Sequence, residues 1–83
     1  MINDQTFEEL LSSDEPRREQ FISSFLKYIE EMKAYDVKKA IENRDYNQLL
    51  EILINTPEDK LPDALSLILQ AGRFIYLLKK WNL

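Results

Sequence analysis

The sequence predicts an all-α protein, a small bundle of four or five helices that ends in a long apolar C-terminal helix. Three observations predict it. The 83 residues include one glycine and three prolines, so the punctuation that strands and tight turns need is nearly missing. Apolar residues recur at intervals of three and four along much of the chain. Ser, Thr, Asp or Asn stands ahead of most of these runs, in places followed by a proline or by acidic residues, as helix starts require. A chain of this length forms one domain, residues 1–83, around a thin core.

The elements follow in order. Thr6-Phe7-Glu8-Glu9 reads as a capping box for a short helix over about 7–12. Ser12-Ser13-Asp14-Glu15-Pro16 breaks it and starts a second helix, which runs to about Ala34 with Phe21, Ile22, Phe25, Leu26, Ile29 and Met32 on one stripe. Asp36 is placed to cap a segment carrying Val37, Ala40 and Ile41. Asp45-Tyr46-Asn47-Gln48 offers a further capping box ahead of Leu49, Leu50, Ile52, Leu53 and Ile54. Residues 36–54 form one bent helix or two, and Asn43-Arg44-Asp45 favours a break, because Asn and Asp compete for backbone hydrogen bonds. Thr56-Pro57-Glu58-Asp59 signals another start, with Thr56 as cap. Pro62 disfavours helical geometry at Leu61, so a single turn over 57–60 is expected before the last helix, from Asp63 to about Trp81.

Composition removes several kinds of chemistry. Without Cys or His the chain has no disulfide, no thiolate nucleophile, no zinc site of the usual ligands and no side chain that ordinarily titrates near neutrality. No enzyme and no cofactor is expected. The acidic doublets Glu8-Glu9, Asp14-Glu15, Glu30-Glu31 and Glu58-Asp59 diverge by about 100° on a helix and read as solvated faces and helix starts. Tyr28, Tyr35 and Tyr46 read as amphipathic packing residues. Met1 to Gln5 is polar and acidic where a secretory signal is basic and then apolar, and the apolar run Ala64–Leu78 is shorter than the about 20 residues of a bilayer span. A cytoplasmic protein with no membrane span is expected.

Charge divides the chain. Residues 1–63 carry eight Lys/Arg against fifteen Asp/Glu, a balance of −7, while residues 64–83 carry Arg73, Lys79 and Lys80 and no acid. The acidic body disfavours nucleic acid and suits a basic protein segment better. Apolar residues make up 45% of the sequence, more than a thin core readily hides, which points to association.

The last helix is apolar almost all round. One line, Leu65, Ile68, Gly72 and Ile75, continues to Lys79; another holds Leu67, Ala71, Phe74, Leu78 and Trp81. Either the helix is the enclosed centre of a monomeric bundle, or one line faces its own core and the other a neighbour. On the second alternative Leu65, Ile68, Gly72 and Ile75 form a homodimer interface. Gly72 costs about 1 kcal/mol relative to alanine inside a helix; a close neighbour would offset that, and tolerated drift would explain it as well. Arg73, Phe74, Tyr76, Leu77, Lys79, Lys80 and Trp81 gather the aromatic and cationic residue types of binding hot spots and form the candidate partner-binding set. The competing explanation has Lys79 and Lys80 complementing the helix dipole while Trp81 folds back on the core.

In length, acidic balance and helix-only signals, together with the opening Met1-Ile2-Asn3-Asp4-Gln5-Thr6-Phe7-Glu8-Glu9-Leu10-Leu11 and the close Lys79-Lys80-Trp81, the chain resembles the cytoplasmic lysis-inhibition accessory proteins of T4-like bacteriophages. The resemblance implies a soluble helical binder without a cofactor. It also implies a partner, the cytoplasmic N-terminal segment of a phage holin, whose binding delays lysis beside a periplasmic antiholin. No residue role carries over from it. The alternative function is that of a small phage or bacterial regulator that binds and inhibits a host transcription protein or another host protein. A nucleic-acid binder, which would lean on Arg73, Lys79 and Lys80, is a further rival.

Overall fold

A computed structural model describes residues 2–83. They form five α-helices, α1 (Asp4–Leu11), α2 (Glu15–Glu31), α3 (Tyr35–Asn43), α4 (Tyr46–Ile54) and α5 (Leu61–Lys80), with one 3₁₀ turn at Glu58–Lys60 leading into α5. There is no strand among the described residues. The protein is an all-α bundle with a long apolar C-terminal helix.

Local chemistry accounts for the boundaries. Asn3 is extended and its side chain accepts from the Thr6 amide at 2.8 Å, so α1 begins earlier than Thr6 suggests and Thr6 and Glu9 fall inside it. Asn is one of the strongest N-caps, and Asp4 then sits in the first turn, where the helix dipole favours a carboxylate. Asp14 caps α2 by accepting from the Arg17 amide, with Pro16 in the first turn. Asp45 caps α4 by accepting from the Gln48 amide at 3.1 Å, so residues 36–54 make two helices. Asp36 does not cap α3; it lies in the first turn, and Ala34 precedes the helix without a side-chain cap. Thr56 does not cap either, because its hydroxyl donates to the Ile52 carbonyl at 2.6 Å, closing the end of α4.

Three helix ends use the same device. Lys33, Arg44 and Asn82 have φ of 56°, 50° and 62°, the left-handed region that favours glycine. Around each, two backbone hydrogen bonds close the helix end: Lys33 to Glu30 and Ala34 to Ile29, Arg44 to Ile41 and Asp45 to Ala40, Asn82 to Lys79 and Leu83 to Leu78. These are Schellman closures. The first ends α2 at Glu31, short of Ala34.

α5 is the hub. Its Ala71, Phe74, Ile75 and Leu78 pack with Phe25 and Ile29 of α2, Val37, Ala40 and Ile41 of α3, Leu49 of α4 and Ile2. At the centre the rings of Phe25 and Phe74 stack with centroids 4.2 Å apart and planes 11° from parallel. Leu77 and Trp81 form a second cluster with Leu10, and Phe21 joins the two, tilted against Phe74 at 5.6 Å and edge-on to Trp81 at 6.3 Å. With the 3₁₀ turn the C-terminal helix spans Glu58–Lys80, 23 residues, long and apolar enough by length and composition to cross a membrane. The expected length limit on a membrane span therefore does not apply to it. Its buried Ala71, Phe74, Ile75, Leu77 and Leu78 tie it into the bundle.

Phe74→Ala opens a cavity against Phe25 and is expected to destabilise the fold by about 3–5 kcal/mol, read from chemical denaturation followed by helical circular dichroism. Gly72→Ala has the opposite sign. A Cβ built at Gly72 meets Tyr46 Cε1 at 3.9 Å, an ordinary contact, so the gain in helix propensity, about 0.5–1 kcal/mol, shows as a higher denaturation midpoint.

Candidate functional site

Helical geometry divides α5 lengthwise. Successive residues turn by about 100°, so Ala71, Phe74 and Leu78 face the core while Leu65, Leu69 and Tyr76 lie roughly opposite. The latter three are exposed, Leu69 at 54%. α4 packs beside α5 and runs antiparallel to it, since a short link joins the end of α4 to the start of α5 and Tyr46, at the start of α4, reaches Gly72. Tyr46, Leu50 and Ile54 recur at intervals of four along the outer edge of α4. Leu50 is 54% exposed and Ile54 79%. Tyr46 meets the α5 row at Leu69 and Gly72, and helical geometry carries Leu50 and Ile54 on from there alongside α5, which aligns the two rows as one apolar side.

A groove of about 450 Å³ marks the C-terminal part of this face, lined by Phe7, Tyr46, Ile68, Leu69, Gly72, Arg73 and Tyr76. The Tyr46 hydroxyl donates to the Gly72 carbonyl at 3.5 Å, and the Lys79 ammonium lies 4.8 Å from the Tyr46 ring centroid. Phe7 packs on Tyr76 with centroids 5.6 Å apart. Burial, with a smaller contribution from the Tyr76 phenol, pushes the Tyr46 phenol above the ordinary tyrosine range, so Tyr46 stays neutral at physiological pH. Among the described residues that line the groove Arg73 alone is formally charged, and Lys79 adds a charge at its edge.

The residues proposed from sequence separate into three sets. Phe74 and Trp81 are 1% and 8% exposed, and Leu77 and Ile75 are fully buried. None of the four presents a surface to a partner: Phe74, Leu77 and Trp81 are core, and Ile75 leaves the expected dimer set because it turns inward beside Ala71. Arg73 is half-buried and engaged within the chain. Its guanidinium donates to the Ile2 carbonyl at 2.7 Å and to the Asp4 carboxylate at 2.6 Å, while the Gln70 side chain accepts from the Ile2 amide. Tyr76, Lys79, Lys80 and Leu65 are exposed, and Ile68 and Gly72 are partly so. These six lie on or beside the apolar face.

Tyr46, Leu50, Ile54, Leu69 and Phe7 belong to the face as well and were not among the candidates. The interval of four through Tyr46, Leu50 and Ile54 was the available signal, obscured by the interleaved core residue Leu49 and the half-buried Ile52 and Leu53. No group of three or more metal-binding side chains is assembled among the described residues. No family model, no curated protein and no solved structure matches the chain.

Arg73 thus works as a clasp on the N-terminal segment. Arg73→Ala is expected to cost about 1–2 kcal/mol, the scale of charge-assisted hydrogen bonds at a partly exposed site, and to free residues 2–4. Limited proteolysis checks this: cleavage ahead of α1 accelerates in the variant while the helical content of the remainder is kept.

Proposed function

We propose that this protein is a non-enzymatic regulator that acts by binding a segment of another protein along the α4–α5 face. The observation that carries the proposal is the exposure of Tyr46, Leu50, Ile54, Leu65, Leu69 and Tyr76 on one side of a bundle of 83 residues. Rows of exposed large apolar side chains on one side of a small bundle mark docking sites. An amphipathic helical segment matches the shape, its apolar side against the two rows and its polar side to water.

The resemblance to phage lysis-inhibition accessory proteins supplies the partner: the cytoplasmic N-terminal segment of a holin. Held in the complex, that segment would be withdrawn from the assembly that opens the membrane, and lysis would be delayed. The net charge of −4 favours a basic segment at long range, and at the face itself that attraction falls to Glu58 and Asp59 at the start of the C-terminal helix, away from Arg73, Lys79 and Lys80. The mechanism is stoichiometric and takes place in the cytoplasm.

A synthetic peptide of a T4-like holin's cytoplasmic N-terminal segment, titrated calorimetrically into the protein, tests this. Wild type is expected to bind, and Leu50→Asp with Leu69→Asp to weaken binding at least tenfold at unchanged helicity, since central anchors carry about 2 kcal/mol or more. Equal affinity in the double variant would remove the face from the site. An inert wild type would remove the holin segment as the partner.

A further inference from the structure

We propose that in the free protein the α4–α5 face is covered by a second copy of the same chain, in a two-fold antiparallel arrangement centred on Leu69 and Leu50. The distribution of charge along the C-terminal helix points to this occupant. The helix opens with exposed Glu58 and Asp59 and closes with exposed Lys79 and Lys80, and between them the outward side carries Leu65, Leu69 and Tyr76.

The spacing is self-complementary. In an antiparallel pair with its axis at Leu69, the acidic 3₁₀ turn that leads into α5, with Glu58 and Asp59, comes to the level of the Lys79–Lys80 end of the second copy. The same operation repeats this meeting of opposite charge at the other end, as a two-fold axis must. A parallel pair sets acid against acid and lysine against lysine. Complementary charge of this kind fixes register and excludes wrong orientations.

α4 obeys the same symmetry. Tyr46 sits beside Gly72, so Leu50 and Ile54 step back along α5 toward Leu69 and Leu65 at about 1.5 Å per residue. Leu50 comes level with Leu69 on the axis, and Tyr46 of one copy faces Ile54 of the other. The C-terminal helix with its leading turn offers a strip roughly 33 Å long and α4 one of roughly 14 Å, each about 10 Å wide, so the face covers on the order of 450 Å², less than the about 800 Å² that each side of a standard interface buries and in the range of a weak, reversible contact.

The proposal concerns the free chain and is tested without any partner peptide, so it stands or fails separately from the holin titration. Sedimentation of the full chain at micromolar to submillimolar concentration is expected to give twice the 9.9 kDa chain mass. Lys79→Glu with Lys80→Glu should weaken association at least tenfold. Adding Glu58→Lys and Asp59→Lys to that chain should bring association back, because the pairs return with their signs exchanged. Leu69→Asp should give a monomer of unchanged helicity; where helicity falls, the charge variants alone decide.

A wild type that sediments at 9.9 kDa across the range would overturn the proposal, and so would a fourfold variant no better associated than the double one. A monomer that co-floats with phosphatidylglycerol vesicles would assign the face to a lipid surface and overturn it as well.

Discussion

The packing of Phe25 on Phe74 sets what every other part of α5 is free to do. Once those rings stack at 4.2 Å, the helix cannot rotate about its axis, and Ala71, Ile75 and Leu78 are committed to the same interior. The outward direction of Leu65, Leu69 and Tyr76 follows with no further choice. Trp81 is held by the same constraint, since Phe21 touches both Phe74 and Trp81 and carries the core on to Leu10 and Leu77. The apolar face is therefore the reverse side of the core contact, and its position is as rigid as that contact.

The chain ends are bound into this frame by polar groups. Arg73 and Gln70 hold Ile2 and Asp4 against α5, which seats Phe7 on Tyr76 and gives the groove its second wall. At the other end Arg44 donates to the Leu83 carbonyl, so the turn that separates α3 from α4 also secures the C-terminus. Across the bundle Lys38 pairs with Glu30 at 2.9 Å and holds its carboxyl below the usual range. That pair is solvent-exposed and contributes little to stability. Cations near α5 thus have different roles: Arg73 holds the chain's own N-terminal segment, Lys79 lies over the Tyr46 ring at the edge of the groove, and Lys80 stays exposed beside the apolar rows.

Sequence made the helices legible where a side chain acts on its own backbone. Asp14 and Asp45 cap where their positions indicate, and the missing glycines and strands agree with five helices. It misled where two caps compete, as with Asn3 ahead of Thr6; it marked the break at Asn43-Arg44-Asp45 but not the left-handed closure there, and it was silent at Lys33. Left-handed geometry costs a non-glycine residue about 1 kcal/mol or more, and only the bonds closing two helix ends and the packing of α3 hold it there, which a local pattern does not display. The site was half legible for a related reason. Periodicity shows that α5 has two apolar sides, but aromatic content drew the candidate contacts to Phe74 and Trp81, the residues a small core needs most. Leu50 and Ile54 became visible only when α4 was laid along α5.

Magnitudes determine what sort of contact the face can make. Fully burying a Leu, Ile or aromatic side chain gains about 1.5–3 kcal/mol. The six exposed residues are each partly covered already, so closing the face recovers roughly half of that from each, about 5–9 kcal/mol from one side of the contact and about twice that where a second copy buries the same six. Association costs an estimated 4–15 kcal/mol in lost translational and rotational freedom. The two are comparable, so the apolar rows alone do not give a permanent complex. Specificity and any net affinity must come from what frames them, the acidic start and lysine end of α5, and the occupant must be exchangeable. A face that closes reversibly suits a regulator that has to take up a partner when it arrives and release it when conditions change.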